Sequence, residues 1–258
     1  MTAITNRKER PRGSMHIEVI FDPGCPWCYI GKRQLERAIA LRRGLQVCLA
    51  WWPFLLNPDL PPEGIDRTTY LIRKFGSEAR VGRIHMAIAD VGQSVEIDFA
   101  FDRIRRTPNT VSAHRLVRFG ALYGCADRLV ESLFYNHFVR GRDIGDTRVL
   151  LQIGSEADLD VRLLRTFLRS DADLAVVYGE NARAHRLGIN GVPAFVFNGS
   201  FVTCGAQEPA VLARMIDVAR EAERNAEADA AAAGTLLQSV SHGGVQPAVD
   251  RSIPRSRA

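Results

Sequence analysis

Cys25-Pro26-Trp27-Cys28 lies between an extended apolar run, His16 to Phe21, and a helical pattern that begins at about Tyr29. Two thiols spaced in this way at the start of a helix can form and break a disulfide. The helix N-terminus carries partial positive charge and unpaired amide donors, so it favours a thiolate at Cys25. Cys28, one turn further in, is then expected to be the more buried, resolving thiol. The same pair could instead supply half of a zinc site or be an accident of sequence.

A βαβ unit is predicted around this motif. Met15 to Phe21 alternates and is rich in β-branched residues, which indicates a strand. An apolar stripe at helical spacing then runs to about Gly44, and Leu45 to Phe54 predicts a second, buried strand parallel to the first. The CxxC motif therefore belongs at a strand-to-helix junction. Cys48 in the second strand is interpreted as a small buried hydrophobic residue.

A proline-rich break at residues 57–62 ends this unit, and a mainly helical region of about a hundred residues follows. Only Val95 to Phe101 in this region is predicted to be extended. The predicted helices are Thr68 to Asp90, interrupted at Gly76 and Gly82, then Val111 to Tyr123, Asp127 to Phe138, Asp146 to Gly154, Asp160 to Arg169 and Asp171 to Leu187.

Strand signals return near the end of the chain. Ala194 to Phe197 and Phe201 to Cys204 flank the turn pair Asn198-Gly199, which predicts an antiparallel hairpin. Pro209 opens an amphipathic helix through Ala219. The prediction is an α/β thioredoxin fold with a large helical domain inserted between its βαβ and ββα halves. Residues 15–60 and 188–224 form the thioredoxin-like domain, 61–187 the insertion, and 1–14 and 225–258 a disordered leader and tail.

Composition excludes several classes of protein. No run approaches the roughly 18 apolar residues that a membrane span needs, and no apolar segment follows the basic residues near the N-terminus as in a secretory signal. A cytoplasmic protein is expected. The five cysteines are an odd number and scattered outside the motif, which argues against a disulfide framework. The net charge of +5 is small and interleaved with acids, so nucleic-acid binding is not expected.

Three stretches in order along the chain carry a specific resemblance. They are Phe21 to Lys32 (FDPGCPWCYIGK), Asn109-Thr110 with Ala113 to Leu116 (AHRL), and Gly188 to Phe195 (GINGVPAF) with Gly205-Ala206-Gln207. Together they resemble the DsbA family, and within it the FrnE-like branch of cytosolic thiol-disulfide oxidoreductases. The resemblance covers about residues 15–222.

The resemblance implies Cys25 as attacking cysteine, Cys28 as resolving cysteine and Pro193 as a cis-proline facing them. The same superfamily holds 2-hydroxychromene-2-carboxylate isomerases and kappa-class glutathione transferases, which carry serine at the nucleophile position. Cysteine at both positions of this chain favours disulfide exchange over glutathione-dependent isomerisation.

Further residues are assigned to substrate binding. Val192 and Pro193, with Pro26 and Trp27, are expected to dock an extended substrate. His114 is a candidate for orienting a substrate or glutathione, against an ordinary interdomain contact. His85, His137 and His185 are interpreted as ordinary histidines. Cys204 is interpreted as packed, with an accessory redox role as the alternative. Asp22 is interpreted as a turn former or as a charge that acts on the nearby thiol.

The predicted function is that of a cytoplasmic dithiol-disulfide oxidoreductase acting through Cys25 and Cys28. The alternatives are a glutathione-dependent isomerase or transferase, and a non-catalytic thioredoxin-fold peptide-binding module or chaperone. Expected partners are thiol- or disulfide-bearing proteins, with glutathione a further candidate, and neither nucleic acid nor membrane. No cofactor or metal is expected, because the chain has no second CxxC or HxxxH to complete a zinc site. The direction of redox exchange and a homodimeric state are left open.

Overall fold

The computed structural model of the chain describes residues 14–241, and the surroundings of the side chains as far as residue 229. The strands are β1 (Met15–Phe21), β2 (Val47–Pro53), β3 (Ile65–Asp66), β4 (Arg106–Thr107), β5 (Ala194–Phe197) and β6 (Phe201–Cys204). The helices are α1 (Pro26–Ala40), α2 (Arg67–Phe75), α3 (Glu78–Ser94), α4 (Val111–Ala121), α5 (Ala126–Phe134), α6 (Thr147–Glu156), α7 (Val161–Arg169), α8 (Leu174–Arg186) and α9 (Pro209–Ser241).

A four-stranded sheet of order β2-β1-β5-β6 forms the centre of the fold. β1 pairs in parallel with β2, where Ile17 lies opposite Leu49, and antiparallel with β5, where Ile17 lies opposite Phe197. β5 and β6 form the predicted hairpin around Asn198-Gly199. β1 is buried along nearly its whole length because strands flank it on both edges and helices cover its faces. This topology, with α2 to α8 inserted between β2 and β5, confirms the predicted thioredoxin fold.

The inserted helices share a core with the sheet. Phe21 and Phe195 from the sheet belong to the same buried apolar cluster as Leu116 and Phe134 from the insertion. A small second sheet joins the distant segments β3 and β4. All of this lies in one structural unit, of which residues 14–219 are described; the described part of a second unit, residues 220–241, belongs to α9. Within residues 14–241, no helix is long and apolar enough to cross a membrane.

An ion-pair network joins α1 to α5. The Lys32 side chain is 3% exposed, and its Nζ lies 3.1 Å from Glu131 Oε2 and 3.7 Å from Asp127 Oδ2. Lys32 also pairs with Glu36, and the Tyr29 hydroxyl donates to Glu131 Oε1 at 2.9 Å. Because α1 begins at the CxxC motif, this network fixes the helix that carries both thiols.

The segment 95–101 is not extended as predicted. Backbone N–H groups of Val95 and Ile97 both donate to Gly92 O, and Glu96 has a left-handed φ of 62°. A Cβ at Gly92 would lie 2.5 Å from the Phe99 ring. The turn can therefore pack Phe99 against position 92 because this residue is a glycine. The β-branched residues are buried in a helix-terminal turn rather than paired in a strand.

Other boundaries also differ from the sequence prediction. α9 continues past Asn225 to Ser241, where a disordered tail was expected, because the run 226–233 is rich in alanine, the strongest helix former. Residues 242–258 and 1–13 of the expected tail and leader lie outside the described part, whereas Ser14 is buried beside β1. Cys48 is exposed, not buried, because β2 is an edge strand. The predicted helix ending at Phe138 becomes a π-turn over Tyr135–Val139.

Candidate active site

The turn that follows β1 positions the first cysteine. Asp22 Oδ1 accepts a hydrogen bond from Gly24 N at 2.8 Å, and Asp22 O accepts one from Cys25 N at 2.9 Å. Pro26 occupies the first helical position of α1, where a missing N–H costs nothing. Cys25 is thus the N-cap residue of α1, next to the positive end of the helix dipole.

The two thiols occupy different environments. Both are free, and Cys25 is 5% and Cys28 2% exposed. Burial raises the pKa of Cys28 well above its ordinary range, and the hydrogen bond and charge of the neighbouring Cys25 raise it further. Only Cys25 of the two lines the adjacent cavity. Cys25 is therefore the thiol that a bound molecule meets first, and Cys28 lies behind it as a protonated thiol at neutral pH.

The loop before β5 lies directly across from Cys25. The Val192-Pro193 peptide bond is cis, as the resemblance implied, and the Cys25 Sγ lies 3.6 Å from Val192 O. Pro193 packs on α1 at Gly31, where an added Cβ would lie 2.7 Å from Pro193 Cγ. Glycine at position 31 therefore lets the loop approach the helix that carries the thiols.

Asp22 is a buried carboxyl group at the base of the site. Besides Gly24 N, its oxygens accept hydrogen bonds from Leu56 N at 2.8 Å and from the Thr110 hydroxyl at 3.3 Å. Burial raises the pKa of Asp22 to about 6, because the loss of hydration outweighs the three hydrogen bonds that favour the charged form. Its charge in turn contributes to the raised pKa of Cys28. The interpretation of Asp22 as a turn former is therefore confirmed, and its charge acts on Cys28.

A cavity of about 360 Å³ opens from Cys25 towards α2 and α3. Its walls are mostly apolar, with contributions from Leu56, Leu71, Phe75, Ile84, Ile88, Phe101 and Pro108. The predicted docking residues Pro26, Trp27 and Val192 line its mouth, and Trp27 is 40% exposed. A small molecule, or a side chain of a larger one, can thus reach the Cys25 sulfur from this space.

The sequence prediction missed several polar residues of the cavity. Arg67, Tyr70, Lys74, His85, Thr107 and His137 all line it. The two histidines were interpreted as ordinary, and Arg67 was not singled out. The six residues come from α2, α3, β4 and the π-turn, so no spacing pattern in the sequence indicates that they line one cavity.

Two predicted candidates lie elsewhere. His114 does not line the cavity: it is 1% exposed, its Nε2 lies 3.1 Å from Phe54 O, and its ring packs against Phe21 at 5.0 Å. Its contact joins α4 to the end of β2, so the predicted role in orienting a substrate is not supported. Cys204 faces solvent on the edge strand β6 and also stays outside the cavity, so it is not packed as interpreted. Among residues 14–241, no three His, Cys, Asp or Glu side chains group as metal ligands.

Comparisons with known proteins agree with this architecture. Residues 16–217 match the model of the DSBA-like thioredoxin domain. The chain is 24% identical over 190 residues to the uncharacterized protein YwbO of Bacillus subtilis. The aligned region covers 73% of this chain and 90% of YwbO. A probable DsbA oxidoreductase from Streptomyces coelicolor superposes with a TM-score of 0.72 at 26% identity, over 80% of this chain and 89% of the other. A 2-hydroxychromene-2-carboxylate isomerase superposes with a TM-score of 0.57 at 14% identity, over 82% of this chain and 98% of the other.

Proposed function

The chain belongs to the family of DsbA-like thioredoxin domains, and we propose that it is a cytoplasmic dithiol-disulfide oxidoreductase that uses Cys25 and Cys28 on protein or small thiol substrates. The observation that carries the proposal is the asymmetry of the thiol pair. Cys25 opens to the cavity at a helix N-terminus, and Cys28 is buried one turn behind it. The odd number of cysteines and their scatter outside the motif fit a reducing compartment.

In the reducing direction, the Cys25 thiolate attacks one sulfur of a substrate disulfide. The substrate S–S bond breaks, a Cys25–substrate mixed disulfide forms, and the other half leaves as a thiolate. Cys28 then loses its proton and attacks the Cys25 sulfur, which releases the second substrate thiolate and closes a Cys25–Cys28 disulfide. Two electrons pass from the protein dithiol to the substrate, and the reverse sequence oxidises a substrate dithiol.

The second step needs an acceptor for the Cys28 proton. The Asp22 carboxylate acts electrostatically on Cys28, and with a pKa of about 6 it is largely ionised at neutral pH yet basic enough to take a proton. We assign this acceptor role to Asp22. Val192 O, beside the Cys25 sulfur, is placed to accept a backbone hydrogen bond from an extended substrate.

Reduction of insulin disulfides by the wild type, Cys25→Ser and Cys28→Ser tests the proposal. We expect Cys25→Ser to lose activity to the background level, because the attacking sulfur is gone. Cys28→Ser should accumulate mixed disulfides that are visible on a non-reducing gel, because the resolving step is removed. Exposed Cys48→Ser is the matched control and should behave as wild type. Equal insulin reduction by wild type and Cys25→Ser would overturn the proposal in favour of a binding module or a serine-type isomerase.

A further inference from the structure

The inner end of the cavity holds a cation without a counter-charge. The half-buried Arg67 begins α2 and lines the cavity, and its Nε is buried with no hydrogen-bond partner among the described residues. No ion pair of Arg67 occurs within residues 14–241. The lining contains a second cation, Lys74, whereas Asp22 is the only acidic residue among the described residues that line the cavity, and it already accepts three hydrogen bonds.

Two polar groups beside Arg67 are also unsatisfied. β3 and β4 pair with Ile65 opposite Thr107, and Arg67 N donates to Arg105 O at 3.0 Å, which places Arg67 and Thr107 at the same small sheet. The Thr107 hydroxyl is buried and has no partner in the described part of the chain. His137 is 0% exposed; its Nδ1 lies 3.1 Å from Arg142 O, and its Nε2 is unpartnered there as well.

The protonation of the histidines defines what this corner can bind. Burial, and then the Arg67 charge, lower the pKa of His85 to about 4 and that of His137 to about 3, so both are neutral and both lie near Arg67. Neutral His137 donates through Nδ1 to Arg142 O, which leaves Nε2 as an acceptor. Arg67 and Thr107 thus offer donors to an anionic oxygen, and His137 Nε2 offers an acceptor to an adjacent hydroxyl or N–H.

The remaining wall is apolar and aromatic. The His85 ring stacks on Phe101 with centroids 4.3 Å apart, and Phe101 stacks on Phe99 at 4.9 Å. Phe101, Ile84 and Ile88 supply apolar surface to the same cavity that Arg67 and Cys25 line. The Arg67 Nε is buried without a hydrogen-bond partner among the described residues, so a ligand that supplies a counter-charge there gains a charge-assisted hydrogen bond.

We propose that Arg67 and Thr107 form an anion-binding subsite, with the neutral acceptor His137 Nε2 in the same lining, and that the site accepts small apolar or aromatic thiols and disulfides that carry a carboxylate. The carboxylate lies on Arg67 while the apolar body fills the cavity and presents sulfur to Cys25. This inference rests on the proposed function for the reactive end of the molecule, but the subsite itself does not need the thiols.

Two aromatic disulfides distinguish the effect of the ligand's carboxylate from the effect of thiol reactivity. Dithiobis(nitrobenzoate) carries a carboxylate on each ring, whereas dithiodipyridine is neutral at pH 7. For the reduced protein, we expect Arg67→Gln to slow the reaction with the carboxylate reagent about tenfold, the typical value of one charge-assisted hydrogen bond, and the reaction with the neutral reagent less than about twofold. Arg73→Gln removes an equal charge from the exposed side of α2 and should leave both rates within about twofold.

A binding measurement keeps the subsite independent of redox activity. In Cys25→Ser/Cys28→Ser, calorimetric titration should detect para-nitrobenzoate but not para-nitrobenzamide, and Arg67→Gln in that background should abolish the difference. Equal slowing of both disulfides in Arg67→Gln, or equal binding of acid and amide, would overturn the subsite and leave a merely hydrated cavity. Detection of the acid together with a failed insulin assay would uphold the subsite and reject the oxidoreductase proposal.

Discussion

At the scale of single residues, Asp22 has the largest influence on the site. It closes the turn before Cys25, accepts hydrogen bonds from Leu56 and Thr110, and acts electrostatically on Cys28. No single part of the sequence reveals this combination, because Leu56 and Thr110 reach Asp22 from positions 34 and 88 residues away. The carboxyl group is held in an environment that favours its neutral form.

The raised pKa of Asp22 predicts a pH-dependent cost. Its pKa is about 6 in the folded chain and 3.8 as a free group, so the folded state binds more protons between these values. Ionisation of Asp22 therefore lowers the free energy of unfolding by about 2 kcal/mol between pH 4 and pH 7. Asp22→Asn should lack this contribution, so that the wild type loses more stability than the variant as the pH rises. Urea unfolding at both pH values measures it, and parallel pH profiles would contradict the assignment.

The same substitution should separate the two chemical steps. With Asn at position 22, the mixed disulfide between Cys25 and the substrate should still form quickly, because the position of Cys25 does not change. Resolution by Cys28 should slow by about tenfold to a hundredfold, the usual range for loss of a proton acceptor. Stopped-flow tryptophan fluorescence of Trp27 follows both steps, and an unaltered resolution rate would remove Asp22 from the mechanism.

At the scale of elements, sequence patterns predicted the strands, turns and helix ends that depend on residues close together in the chain. β1, β5 and β6 follow from alternation and the turn pair Asn198-Gly199, whereas α1 begins at Pro26, three residues before the predicted start at about Tyr29. Gly76, with a φ of 96°, ends α2 as predicted, whereas Gly82 lies inside α3 because nothing crowds it there. β3 and β4 are only two residues each and pair across 40 residues, so no periodicity marks them. The part of the site that depends on them, Arg67 with Thr107, was accordingly missed.

The ion-pair network between α1 and α5 yields an element-scale prediction. Glu131→Leu removes the acceptor of the Tyr29 hydroxyl and the nearest α5 carboxylate of the 3% exposed Lys32. Lys32 keeps Glu36 and the more distant Asp127, but it loses a close carboxylate, as does Arg33, so the free energy of unfolding should fall by about 2 kcal/mol. Arg37→Met, which removes a 3.9 Å pair to the exposed Glu96 and an exposed hydrogen bond to Ser94 O at 2.7 Å, should change it by less than about 1 kcal/mol. Similar small effects in chemical denaturation of both variants would refute a structural role for the network.

At the scale of the whole molecule, one buried histidine joins the insertion to the sheet, and another makes a contact inside the insertion. His114 connects α4 to the end of β2 through Phe54 O, and His137 holds the π-turn through Arg142 O. Burial lowers the pKa of each to about 3, so both are neutral in the folded chain. The sequence could not show this, since burial of these rings depends on how the insertion packs.

The molecule should therefore lose stability in mild acid. The unfolded chain binds a proton at each histidine near pH 6.5 and the folded chain only near pH 3, so each contributes stability above pH 6.5 that is lost as the pH falls. The loss amounts to about 2 kcal/mol per histidine at pH 5. His114→Gln retains a donor for Phe54 O but has no titrating group, so its stability should fall less between pH 7 and pH 5. Identical losses in His114→Gln and wild type would show that His114 is not the titrating group.

The position of β1 in the sheet has a consequence for biosynthesis. β1 pairs with β2, which follows it closely, but its other edge is completed by β5, and Val192 is 167 residues beyond Cys25. While the ribosome makes the insertion, the nascent chain presents both motif cysteines beside an open strand edge, without the loop that later faces them. The proposed redox activity should therefore appear late, once β5 has been translated and added to the sheet.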